Sequence, residues 1–216
     1  MFAPIVEYFF QAGCKSLVLF AVPAAVYLAV WKSRAKKGGA PLVFSAVAPG
    51  LVLLFYAALV VSILLVPDFD MGILDSGKFY FDVSFSPLRY YNLVPFKTLR
   101  EQFAMLQANG LHSFDGLKMV LNLAANLFIF LPLPLLLRWN FKKIRWWQSL
   151  LVVFCSSLLI EVIQYPLHRS CDVDDLLVNT LGGLLGCFVC AAAVRIVQKR
   201  RAQKKAPPVQ DRKSVV

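Results

Sequence analysis

Carboxylates and amides stand in this chain where apolar sequence surrounds them. Glu161 and Gln164 close one long apolar run and, spaced i,i+3, share a face if that run is helical. Arg169, Asp172, Asp175 and Asn179 follow at intervals of 3, 3 and 4, which is one stripe of a helix, while Asp174 falls off it. Asn122 and Asn126 lie one turn apart inside an earlier apolar run. Polar groups in hydrocarbon are expensive, so each needs a reason. Glu161, Asp172 and Asp175 are candidate catalytic acids or bases. Two of them with amide oxygens could instead hold Mg²⁺ or Ca²⁺, although no dedicated metal or cofactor signature is present. Arg169 offers a bidentate fork for a phosphate or carboxylate. Around it, Asn92, Asn122, Asn126, Gln164 and Asn179 are candidate ligand-binding amides. His168 could shuttle protons, but a loop residue at an interface is the plainer reading. There is no Ser-His-Asp arrangement, zinc spacing or P-loop.

The elements that must position these groups are membrane helices. Of the 216 residues, 59% are hydrophobic and 16% charged, against about 45–50% and 25% in soluble domains. Five segments are apolar for the roughly 17–25 residues that a bilayer requires: about 5–31, 41–66, 117–137, 146–165 and 176–197. The second carries no charge from Pro41 to Val66. The first is interrupted by Lys15, which requires either a snorkelling side chain or a tilted helix beginning near Ile5. Its first charge is Glu7, so it lacks the basic start of a secretion signal. The expected fold is an all-α integral membrane bundle of about five transmembrane helices, with a small extracytoplasmic loop region at 68–116. Residues 1–197 form a single transmembrane domain on this reading, and 198–216 a disordered basic cytoplasmic tail.

Charge orients the bundle. Lys32, Arg34, Lys36 and Lys37 follow segment one; Arg138, Lys142, Lys143 and Arg145 follow segment three; Lys199, Arg200, Arg201, Lys204, Lys205, Arg212 and Lys213 follow segment five. Basic connections stay in the cytoplasm, so the N-terminus is expected outside and the C-terminus inside. Of twelve acids only Asp211 then falls on the inner side. The net charge of +11 clusters at segment ends facing one leaflet, which suits anionic lipid rather than nucleic acid. Cys187-x-x-Cys190 falls in an apolar helix and reads as small packing residues, and five cysteines with only Cys171 clearly in an outer loop argue against a disulfide framework.

This topology gathers the polar groups at one depth, near the outer leaflet. Facing them is the long loop. Phe79, Phe81, Val83 and Phe85 alternate with polar residues as a strand does, and Asp75-Ser76-Gly77 could turn a hairpin. Thr98 and Glu101 have capping-box spacing. Leu99, Phe103 and Leu106 follow as a helical stripe, with Asn109-Gly110 as its stop. An amphipathic helix in the outer interface is expected.

Three motifs resemble the VanZ-like membrane proteins, a family named for a factor linked to teicoplanin resistance. They are Asn92-Leu93-Val94-Pro95-Phe96; Asn122 to Pro132 with Asn126 and Phe130; and Glu161-x-x-Gln164 followed by Arg169, Asp172, Asp175, Asn179, Thr180 and Gly182. The family pattern has Gly two residues past the proline of segment three, where this chain has Pro134. The resemblance covers about Asn92 to Gly186 and implies a bacterial cytoplasmic membrane protein with its polar site facing the envelope. Three functions then compete. The first is binding or shielding an amphiphile, either a lipid-linked envelope precursor or a lipoglycopeptide. The second is a membrane hydrolase or transferase acting on lipid-linked precursors through Glu161, Asp172 and Asp175. Transport comes last, because the inner halves of segments three to five hold nothing comparable to this cluster before Arg138 and Arg195. Neither ligand identity nor oligomeric state is encoded legibly.

Overall fold

The computed structural model describes residues 3–38, 43–66, 68–73, 79–84, 91–110, 113–167 and 170–205; for 3–10, 38, 68–73, 79–84, 114, 115, 204 and 205 it describes the backbone only. Apolar runs too long for soluble helices become spans. Helix α1 is Ala3–Gly38 and α2 is Phe44–Leu64. The loop region follows, with strands β1 (Asp68–Ile73), β2 (Phe79–Ser84) and β3 (Tyr91–Asn92), then helix α3 (Lys97–Asn109). Helices α4 (Phe114–Ile129), α5 (Leu133–Asn140) and α6 (Trp146–Gln164), strand β4 (Cys171–Asp172) and helix α7 (Val173–Lys205) complete it. Five stretches are long and apolar enough to cross a membrane: Gln11–Lys37, Phe44–Leu64, Gly116–Asn140, Trp146–Gln164 and Val173–Gln203. The all-α membrane bundle is therefore the fold.

Helices α1 and α2 run antiparallel. Ser62 Oγ donates to the Ala12 carbonyl at 2.9 Å near one end, and Tyr27 Oη to the Val47 carbonyl at 3.4 Å near the other. Lys15 lies buried on α1, and that helix begins at Ala3, well before it. The third span is broken. Neither Pro132 nor Pro134 can donate a backbone hydrogen bond, and the chain turns through Leu131 and Leu133 N–H bonds to Phe128 and Phe130. The Ile129 carbonyl is taken instead by the Tyr56 hydroxyl of α2. Phe130, at the break, is 1% exposed and joins Val60, Leu133, Leu137, Val153 and Ile160 in the core between α2, α5 and α6.

Helix α7 packs against α4, α5 and α6. Gly182 and Gly186 let the third span lie directly on it: a Cβ there would come within 2.0 Å of the Leu127 carbonyl oxygen and 2.2 Å of the Leu131 carbonyl oxygen. This is the close approach that a GxxxG spacing permits. Beyond the expected end of the fifth span, α7 continues to Lys205. The expected disordered tail at 198–216 is thus corrected over its first eight residues, which are helical; Lys and Arg there are strong helix formers and extend a helix already nucleated by packing. Residues 206–216 lie outside the described residues.

The loop region has the expected hairpin: β1 pairs antiparallel with β2, Ile73 opposite Phe79, although the 75–77 turn lies outside the described residues. The expected capping box at Thr98 and Glu101 does not start α3. The helix begins at Lys97, after Phe96 in a left-handed conformation, and Glu101 is exposed. Gly110, at φ 72°, ends it as expected, its N–H bonding the Leu106 carbonyl at 2.9 Å.

Candidate functional site

The site forms where α6 ends, α7 begins and the loop region docks. Strand β3 pairs in parallel with β4, placing Asn92 opposite Asp172. Asn92 Nδ2 donates to Asp172 Oδ1 and to Thr98 Oγ1, both at 3.0 Å. The Asp172 N–H donates to Glu161 Oε2 at 2.8 Å, joining β4 to the last turn of α6. Asp172 Oδ1 also accepts the Asp174 N–H at 2.9 Å and so caps the start of α7. Asp172, Asp174 and Asp175 all stand in or beside the first turn of that helix, where the positive end of the backbone dipole favours negative charge by about 0.3–1 kcal/mol apiece.

Asp174 is the residue that sequence reasoning set aside, and the structure gives it a central role. Nearly fully buried, it accepts the Phe96 N–H on Oδ1 and the Leu99 N–H at 3.0 Å on Oδ2. A carboxylate some 75 residues away thereby caps α3 in place of the expected local box. Its position in the first turn of α7 hinted at a charge role; nothing local pointed to α3. Ser157 is the second omission. Asn179 Nδ2 donates to its Oγ at 2.9 Å, and a reading of faces could have found it, since it lies four residues before Glu161.

The remaining expected residues divide. Asn126 Nδ2 donates to Asp175 Oδ1 at 2.6 Å across α4 and α7. Gln164 Nε2 donates to the Leu64 carbonyl at 3.0 Å, satisfying a free carbonyl at the end of α2. Asn122 is exposed and has no partner among the described residues, although it lies one turn from buried Asn126. The close approach of the third span to α7 is at Leu127 and Leu131, beside Asn126, and Asn122 stands one turn earlier in α4 on the same face. Arg169 and His168 lie outside the described residues.

The polarity of the site also differs from expectation. The amides were expected to bind a ligand, but Asn92, Asn126, Gln164 and Asn179 all direct N–H groups at protein oxygens. Each of Asn126, Gln164 and Asn179 spends one N–H in this way and keeps a second, and acceptor capacity remains beside it. Gln164 Oε1 and Asn179 Oδ1 are buried without a partner among the described residues. The second oxygens of Glu161, Asp172 and Asp175 take part in none of the hydrogen bonds among them. A buried acceptor without a donor costs about 1–3 kcal/mol, so these oxygens favour a partner that brings N–H or O–H groups. Among the described residues, no three His, Cys, Asp or Glu side chains are arranged to hold a metal ion.

Against known proteins, the VanZ/LLP1 family model matches residues 53–195, which takes in every candidate residue named above. The chain is also 40% identical over 62 residues to Protein VanZ of Enterococcus faecium, a match covering 28% of this chain and 38% of that protein. The match thus spans well under half of the relative's length. No solved structure matches. The family match extends from the second span to the fifth and covers the broken third span, the docked loop and the carboxylate cluster, so the chain belongs to the VanZ/LLP1 family.

Proposed function

We propose that this VanZ/LLP1 protein binds an amphiphile of the bacterial cell envelope, holding a donor-rich polar head at the carboxylate cluster and the apolar chain between α2, α5 and α6. The observation that carries this reading is the junction of the two environments at Gln164. Its Oε1 is a buried acceptor without a partner among the described residues. Ile160, one helical turn below it on the same face of α6, lines an apolar cavity of about 390 Å³. Leu53, Tyr56, Val60, Leu65 and Ile163 line it too. Its α2 lining runs from Leu53 to Leu65, about 18 Å along a helix axis, long enough to take much of an alkyl chain. Hydroxyls, amide N–H groups or an ammonium on the head would meet the leftover oxygens of Glu161, Asp172, Asp175 and Gln164. Arg169, three residues before Asp172, supplies a cation for a phosphate or carboxylate on the same head.

Orientation belongs to this proposal. The basic connections support a position for the carboxylate cluster at the outer leaflet of the cytoplasmic membrane. A lipid-linked wall precursor or a lipoglycopeptide would be met there, which is the setting that a link to teicoplanin resistance requires. The test is binding by the full chain in neutral detergent to two probes of equal chain length, N-dodecanoylglucosamine and methyl dodecanoate. The aminosugar amide should bind at least about tenfold more tightly, and Glu161→Gln with Asp175→Asn should remove most of that preference. Equal affinity for the two probes in the wild-type protein would end the reading.

A catalytic role has one observation in its favour. Carboxylates from two helices, Glu161 of α6 and Asp175 of α7, flank the buried Asp172. Hydrolysis or transfer on a lipid-linked precursor would then require Glu161, and a folded Glu161→Gln that turns over such a substrate at the wild-type rate excludes it.

A further inference from the structure

The opposite end of the bundle holds a cavity of about 300 Å³ between α5, α6 and α7. Pro134, Arg138, Trp146, Cys187, Cys190 and Arg195 are among its lining residues. Two arginines from different helices thus meet at one opening. Neither guanidinium makes a hydrogen bond or ion pair among the described residues. Every acidic side chain described, Glu101, Glu161, Asp172, Asp174 and Asp175, belongs to the other end of the bundle. No carboxylate of the described residues can therefore neutralise this pair, which leaves it available to an anion from outside the protein.

Depth and lining identify that anion. Arg195 lies 22 residues along α7 from Val173, about 33 Å at 1.5 Å per residue, just beyond a hydrocarbon core of about 30 Å. Trp139, Trp146 and Trp147 are all exposed at this end, as side chains in the aromatic belt of a bilayer are. The cavity therefore opens at headgroup level, while Pro134, Cys187 and Ala191 give it an apolar wall on the membrane side. Two planar guanidiniums approaching from separate helices suit the oxygens of a phosphodiester, and basic pockets between transmembrane helices are established lipid-headgroup sites. We propose that Arg138 and Arg195 form a binding site for the phosphate of an anionic membrane phospholipid, in the leaflet opposite the carboxylate cluster. This site is independent of the amphiphile reading above and shares no residue with it.

The experiment uses the full chain in neutral maltoside detergent, with dioctanoyl phosphatidylglycerol as probe and tryptophan fluorescence or native mass spectrometry as readout. The wild-type protein should bind this lipid and bind dioctanoyl phosphatidylcholine at least about tenfold more weakly. Arg138→Gln with Arg195→Gln should weaken phosphatidylglycerol binding at least about tenfold. Should that pair fail to fold, Arg138→Lys with Arg195→Lys keeps the charge and should still lose severalfold through the missing forks. Lys142→Gln with Lys143→Gln removes equal charge from the neighbouring loop and should change binding by less than about twofold. Loss in the lysine variant as large as in the arginine variant would mean general surface attraction and would overturn the proposal. So would displacement of the lipid by inorganic phosphate at matching concentration, since the site would then be one for a soluble anion.

Discussion

Asp174 accepts hydrogen bonds from the backbone of Phe96, 78 residues earlier in the chain. The same carboxylate takes the Leu99 N–H, so the first turn of α3 is held by the first turn of α7. Removing an N-cap side chain costs about 0.5–2 kcal/mol, and here the loss leaves two backbone N–H groups without their acceptor. Asp174→Ala is expected to lower the thermal midpoint and to expose α3 to rapid hydrogen exchange. Asp174→Asn, which keeps an acceptor oxygen, should fall between. Thr98→Ala, at the position where local sequence had suggested the cap, should change α3 exchange less than Asp174→Ala does.

Helix α3 buries none of its residues within the protein, yet Phe103 and Met105 are exposed on it, and Leu93, Val94 and Phe96 are exposed just before it. This apolar surface suits a bilayer interface. An environment-sensitive fluorophore on Phe103→Cys, in a variant whose other cysteines are replaced, should emit as in an apolar medium in nanodiscs. On Gln107→Cys it should emit as in water. Identical water-like spectra at both sites would show that α3 stands clear of the membrane.

Two glycine changes separate close helix packing from simple propensity. A Cβ on Gly182 would meet the Leu127 carbonyl oxygen at 2.0 Å, whereas one on Gly13 meets nothing within 4 Å. Gly182→Ala should destabilise by about 1–3 kcal/mol, because backbone must move. Gly13→Ala should stabilise by roughly 0.5–1 kcal/mol, because alanine restricts the unfolded chain in a helix interior. Unfolding in detergent reads both, and a Gly182→Ala protein as stable as wild type would contradict the contact between α4 and α7.

Cys171 reports on the carboxylates from just outside the spans. Burial raises its thiol pKa above the ordinary value, and the Glu161 and Asp172 charges raise it further. At a given pH less thiolate is present, so the midpoint of iodoacetamide alkylation should lie alkaline of a free cysteine in a variant that keeps Cys171 alone. Glu161→Gln removes one charge and should move the midpoint back towards neutral pH. No movement would show that the two groups do not sense one another.

Much of this protein was legible in its sequence, because a bilayer imposes simple rules on residues close together. Length and apolarity predicted the five spans, alternation predicted the β2 strand, and Asn109-Gly110 predicted the end of α3. The clustering of Asn92, Asn126, Glu161, Gln164, Asp172, Asp175 and Asn179 at one end also followed from counting spans. What the sequence could not decide was which group pairs with which. The spacing of Asn122 and Asn126 is the same as that of many buried pairs, but only the docking of α4 on Gly182 and Gly186 determines that one is buried and the other exposed. The direction of the amides likewise depends on neighbours far away in the chain: Asn126 on Asp175, Asn92 on Asp172, Gln164 on Leu64. Hydrogen bonds are short-ranged and directional, so residue type and local period state what a side chain can do. Its partner is set only when distant helices come within about 3 Å, and that contact turned four amides expected to face a ligand towards protein oxygens.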